Sequence, residues 1–358
     1  MPGMLPFIAA LLLGASPSGQ IAYVSEVPGG DRWVVVLDVT SRTVTRVGPG
    51  KRDGAPRWSP DGAWLAFDTQ TESGRAIYVV REDGSEGRYL RHSRNVNRDP
   101  AWSPDGLKIA YSAGENRQIV VYDIASDRER VWGGGRGALM TPAWLSRDLV
   151  MSLLADEDGG GRVVSLIFAE ALDESVGLLA ISLTETEGVL SSDLVLVTAT
   201  ETVPIPERVL PSTGAYAEWR PVPARRHHAI AFESVDGGDR EIFLYSRKGT
   251  WDLTNHRAAD WNPVWAPNNE WIAFESFRDG RRGVYRVHRD TARVYAVAVT
   301  ARASNWWPSW SPDGEWIAFV SDRRGKPSLF VTEVRGGDTA QLTDDAIADG
   351  APAWRPHR

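Results

Sequence analysis

Four near copies of one short segment restrict this chain more than any other feature. RWSPDGAWLAF begins at Arg57, AWSPDGLKIAY at Ala101, VWAPNNEWIAF at Val264 and SWSPDGEWIAF at Ser309. Weaker copies are PAWLSRDLVMS at Pro142, EWRPVPARRHHAIAF at Glu218 and PAWRP at Pro352. The marker tryptophans are therefore read as Trp58, Trp102, Trp144, Trp219, Trp265, Trp310 and Trp354. In SPDG, proline presets the turn, aspartate can bond the turn backbone, and glycine accepts a positive φ. An apolar strand such as IAF follows, then Gly/Asp-rich turns and two further alternating strands, as in SFRDGRRG (276–283), VYRVHRD (284–290) and RVYAVAV (293–299). Four strands recur at a period of roughly 40–50 residues, the signature of propeller blades.

One such blade cannot bury both of its faces, so several must pack around an axis. The marker tryptophans are expected between neighbouring blades rather than at a ligand. The N-terminal segments 21–26, 33–39 and 43–48 supply three strands without a tryptophan strand before them, whereas PAWRP supplies one with nothing after it. Together they complete one blade and close the ring, which removes an open sheet edge. The fold class is all-β, a closed β-propeller of seven or eight mostly four-stranded blades. The long interval between Trp144 and Trp219 sets the count. LSRDLVMSLLADE (145–157) resembles LSSDLVLVTATET (190–202), placing Val189 at a degenerate marker position and favouring eight blades with one truncated over seven with an inserted hairpin. Residues 20–358 are read as one propeller domain, irregular over 145–217.

Composition limits the function. The 16 tryptophans against 9 phenylalanines and 9 tyrosines reflect the repeat, and the net charge of -7 comes from interspersed acids and bases. No basic stripe is present to neutralise phosphates, so nucleic acid is not the expected partner. There is no cysteine to ligate a metal or act as a nucleophile. Residues 1–19 carry an apolar run, Leu5 to Leu13, followed by small residues, and read as a signal peptide or disordered N-terminus. The run is too short for a spanning helix of about 20 residues. Export to the periplasm or the extracellular space is expected, with no integral membrane segment and a monomeric state.

The WSPDG repeat together with FVSDRRGKPSLFVTEVRGGDTAQLTDD (319–345) resembles the propeller repeat of TolB and related periplasmic or extracellular proteins. The repeat is also similar to the propellers that cap prolyl-oligopeptidase-like enzymes. The first resemblance implies an envelope adaptor that binds a protein partner such as a lipoprotein; the second implies gating of a catalytic domain. The chain departs from both, with no TolB-type N-terminal α/β domain, no hydrolase domain and more blades than the six of TolB.

No GxSxG, HExxH, P-loop or dinucleotide glycine pattern occurs, and the six histidines do not recur at one level of the repeat. No catalytic residue, cofactor or metal ligand is assigned. One constellation does recur. Five residues before the marker stand Asp53, Asn97, Asp260, Asn305 and Asp349. They are expected around one mouth of the channel, either in Asx turns or as a partly acidic funnel. Trp261, Trp306, Trp307 and Tyr216 lie beside them, and aromatic anchors next to carboxylates suit peptide or glycan recognition. The expected function is a non-enzymatic binding or scaffold propeller that recognises a protein or peptide at this mouth. The alternative is an enzyme or enzyme accessory acting on a glycan or peptide, with Asp260 and Asp349 as the acid–base pair.

Overall fold

The computed structural model describes residues 16–26, 29–50, 52–90, 96–133, 138–145, 150, 177–186, 189–199, 202–204, 218–223, 229–236, 239–246, 248–337, 339–344, 346–347 and 350–357. The SPDG segments form turns as their chemistry requires. In the turn after Trp58, Gly62 takes φ 69°. The Ser59 hydroxyl donates to Asp61 at 2.6 Å, and Asp61 accepts the Ala63 N–H at 3.0 Å. Asn269 replaces the glycine in the APNNE copy and adopts a φ of 56°, a conformation asparagine tolerates.

Each turn feeds a meander of antiparallel strands. Six sheets are four-stranded and each comes from one continuous stretch of chain. We number them blades 2 to 7, with innermost strands Arg57–Trp58, Asn97–Trp102, Ala138–Trp144, Glu218–Pro223, Asp260–Trp265 and Asn305–Trp310. Blade 1 is composite. Its strands Gln20–Glu26, Arg32–Asp38 and Val44–Arg46 are joined on the inner side by Ala346–Ile347 and Ala353–Trp354, with Ile21 opposite Trp354.

Alternate residues of each sheet face opposite neighbours, and the core consists of the seams between blades. Ile21, Tyr23 and Leu37 meet Val320, Leu329 and Val331 between blades 1 and 7. Val24 and Val34 meet Leu65 and Phe67 between blades 1 and 2. The marker indoles stitch these seams. Trp58 donates its Nε1–H to the Ala353 carbonyl at 2.9 Å, Trp102 to Arg57 at 3.1 Å, Trp144 to Ala101 at 2.9 Å and Trp310 to Val264 at 3.1 Å. Each bond reaches the strand of the preceding blade, one residue before its own marker position. Phenylalanine would fill the same space without the bond, which accounts for tryptophan at these sites.

The fold class expected from the sequence is corrected in its blade count. Six continuous blades and one composite sheet are formed, and no eighth unit exists among the described residues. Val189 does not begin an innermost strand. It pairs with Thr186 in the hairpin of Leu178–Thr186 and Val189–Val197, the second and third strands of blade 4. A second correction concerns Trp219. In blade 5, Trp219 is paired with Glu233 as Trp261 is with Glu275 in blade 6, while Pro223 pairs with Ile230 as Trp265 does with Ile272. Pro223 therefore holds the marker position in that blade. The leader expected over 1–19 lies outside the described residues up to residue 15. Its last residues belong to blade 1, where the Ser18 carbonyl accepts the Trp354 indole at 3.1 Å and the Gly19 carbonyl accepts the Val39 N–H at 2.9 Å.

Candidate functional site

The site begins with a bulge repeated in the innermost strands. The register shifts between Arg98 and Ala101, Met140 and Ala143, Trp219 and Val222, Trp261 and Val264, and Trp306 and Ser309. At its centre Asp99, Thr141, Asn262 and Trp307 have φ between 47° and 56°. A proline follows each time, and without an N–H it needs no ladder partner there. The bulge falls at the equivalent position of the innermost strand in each of these five blades.

Two residues before the bulge stand the Asx side chains, and those the structure describes are buried. Asp53 is 2% exposed and accepts the Val34 N–H at 2.9 Å and the Thr69 hydroxyl at 2.5 Å. Asn97 is fully buried. Asp260 accepts from Arg278 Nη2 at 2.6 Å, and Asn305 accepts from Arg323 Nη2 at 2.9 Å while donating to the Ala298 carbonyl at 3.2 Å. Burial raises the carboxyls of Asp53 and Asp260 above their ordinary range. Asp349 and Tyr216 lie outside the described residues. Asp53, Asp260 and Asn305 brace the loops entering the innermost strands, and all four described Asx side chains are buried.

The three remaining sequence candidates converge on one sector. Trp261 packs on Phe277 with ring centroids 5.3 Å apart, and Trp306 meets Trp307 edge-on at 6.2 Å. The Arg282 guanidinium sits 5.7 Å from the Trp261 ring and 5.6 Å from the Trp306 ring, joining blades 6 and 7. Trp306 and Trp307 also pack on the seam with blade 1, together with Trp33. Phe277 is 43% exposed, so the sector opens to solvent. Phe277, Arg282 and Trp33 were not expected from the sequence; the SFRDGRRG phrase held the first two, but only the fold brings that hairpin over the next blade.

Beneath the sector two glutamates act as latches. Glu233 of blade 5 accepts the Asn262 N–H of blade 6 at 2.7 Å. Glu275 of blade 6 accepts the Trp307 N–H of blade 7 at 2.8 Å and the Asn262 side-chain amide at 2.6 Å. Their outer oxygens are met by Arg240 and Arg282. Glu233 is 2% exposed and Glu275 fully buried, and such charge-assisted bonds hold bulge geometry rigidly. Among the described residues no group of three histidines, cysteines or acids could hold a metal ion, and no helix is long and apolar enough to cross a membrane.

The repeat, the bulge and the seam-bridging indoles can be set against known proteins. The model of the TolB beta propeller domain matches residues 14–187 and 218–356. The chain belongs to this family. No curated protein matches its sequence. Solved structures similar to this TolB-type propeller include TolB from Acinetobacter baumannii, at 16% identity over 94% of this chain and 67% of that one, with a TM-score of 0.55. The propeller domain of the Trilobed protease from Pyrococcus furiosus is similar at 13% identity, 92% and 96% coverage and a TM-score of 0.64. An oligogalacturonate lyase in complex with manganese is similar at 15% identity, 93% and 87% coverage and a TM-score of 0.51. At these identities the likeness establishes the fold alone, and the fold hosts both binding proteins and enzymes.

Proposed function

We propose that this TolB-type propeller is a non-enzymatic binding module of the cell envelope, holding a protein or peptide partner at the mouth formed by blades 6 and 7. The observation that carries the reading is the aromatic sector of Trp261, Phe277, Trp306 and Trp307, fixed from below by Glu233 and Glu275. Rigid, part-exposed aromatics lose little entropy on binding and serve as anchors in recognition surfaces. Asp53, Asn97, Asp260 and Asn305 act as braces of that surface, and the candidates Asp349 and Tyr216 lie outside the described residues. The enzyme alternative has weaker support. The Asp260 carboxylate already accepts from Arg278, whereas an acid–base pair needs two carboxylates facing a substrate. A periplasmic or extracellular location and a lipoprotein as partner, both suggested by the family resemblance, and a monomeric propeller complete the proposal.

Capture from envelope extract tests this reading with the native chain beside the Trp261→Ala/Trp306→Ala/Trp307→Ala variant. A partner retained by the native chain and lost by a variant with native circular dichroism supports it. Equal retention by both would show the aromatics to be packing elements only.

A further inference from the structure

The sequence suggested an acidic funnel, yet the exposed charge on the two hairpins that follow Trp261 and Trp306 in blades 6 and 7 has the opposite sign. Hairpins 277–282 and 322–327 form the rim beside Trp261 and Trp306, carrying Arg278, Arg281, Arg282, Arg323, Arg324 and Lys326. Arg278 and Arg282 are neutralised by the buried Asp260 and Glu275. Arg323 is bound to the neutral Asn305. Arg281, Arg324 and Lys326 are exposed and make no ion pair among the described residues, although Arg281 donates to the Ala301 carbonyl at 3.0 Å. The rim's own acids are engaged. Asp279 accepts the Tyr285 hydroxyl at 2.6 Å, and Asp322 accepts the Ser304 N–H at 2.8 Å. Even with both counted, Arg281, Arg323, Arg324 and Lys326 outnumber them.

We infer that the occupant of this sector is an acidic peptide segment carrying at least one aromatic or large apolar side chain. The inference rests on the binding reading above and names the chemistry of its partner. The net charge of -7 does not oppose it, because charges farther away than a Debye length of about 8 Å at physiological salt are largely screened and the rim dominates locally. A peptide fits better than a sugar. The rings of Trp261 and Phe277 are inclined by 49° and those of Trp306 and Trp307 by 73°, which offers edges and faces to a side chain rather than a flat platform for a pyranose. The exposed guanidiniums of Arg281 and Arg324 on the rim can take carboxylates.

The test measures calorimetric binding of an Asp/Glu-rich peptide with two phenylalanines, its Asn/Gln counterpart, and an oligogalacturonate. The proteins are the native chain, an Arg324→Glu/Lys326→Glu variant and Trp306→Ala. Replacing acids by amides, or reversing the two exposed cations, is expected to weaken peptide binding about tenfold or more. Raising salt from about 0.05 to 0.3 M is expected to weaken it too. Equal binding of both peptides, with loss only in Trp306→Ala, would overturn the acidic chemistry while leaving the mouth as a binding site. Binding of the oligogalacturonate alone, or of none of the three, would also overturn it, the mouth reading then standing or falling on the envelope capture.

Discussion

At the residue scale, the seam between blades 5 and 6 buries two carboxyls close together. Glu241 is 3% exposed; it accepts the Thr254 hydroxyl at 2.6 Å and the His256 N–H at 3.1 Å. Burial first, and then the nearby charges of Asp260 and Asp252, push its carboxyl up to about 8, against an ordinary value of 4.5. An acid whose folded value lies above its unfolded one contributes stability in full below the unfolded value. That contribution is lost as pH rises through the folded value. The melting temperature should therefore fall between about pH 5 and 8. Glu241→Gln, which keeps an acceptor without the charge, should flatten that fall; an unchanged profile by circular dichroism would show that Glu241 is not its source. Glu241 is a case the sequence could not reveal. Its repeat equivalent in blade 7 is Ser328, since the N–H groups of Ile242 and Leu329 donate alike to Thr254 and Thr343. One acid among neutral equivalents carries no periodic signal.

At the scale of elements, the latches make a sharper claim than the repeat did. Glu275→Ala would leave the Arg282 guanidinium, the Asn262 amide and the Trp307 N–H short of an acceptor. Breaking a buried pair costs about 3–5 kcal/mol, and the lower end applies because Arg282 is 26% exposed. Urea unfolding should show that loss, and a change below about 1 kcal/mol would place the latch among surface pairs. Strands, SPDG turns and the seam role of the marker tryptophans were legible because turn chemistry and alternation act locally. Trp219 misled because tryptophan served as the alignment mark. The proline two residues before the marker position, Pro56, Pro100, Pro142, Pro221, Pro263, Pro308 and Pro352, recurs in every blade and would have placed Pro223 correctly. The Asx recurrence was legible as a pattern, but whether those side chains face solvent or Arg278 and Arg323 depends on contacts between elements.

At the scale of the whole molecule, closure by both ends was readable from complementary fragments, whereas the blade count was not. The 178–197 hairpin has strands long enough to imitate a separate unit, and only its pairing with Ala138–Trp144 assigns it to blade 4. Ring geometry then gathers the part-exposed aromatics and cations in one sector of one mouth, and recognition there is the central claim. Photo-crosslinking in envelope extract tests it most directly, with benzoylphenylalanine replacing Phe277 at the mouth or Leu107 in the SPDG turn at the far end of a blade. Both positions are exposed, at 43% and 57%. A discrete protein adduct at position 277 and none at 107 is the expected result; adducts at 107 alone, or at neither, would contradict it.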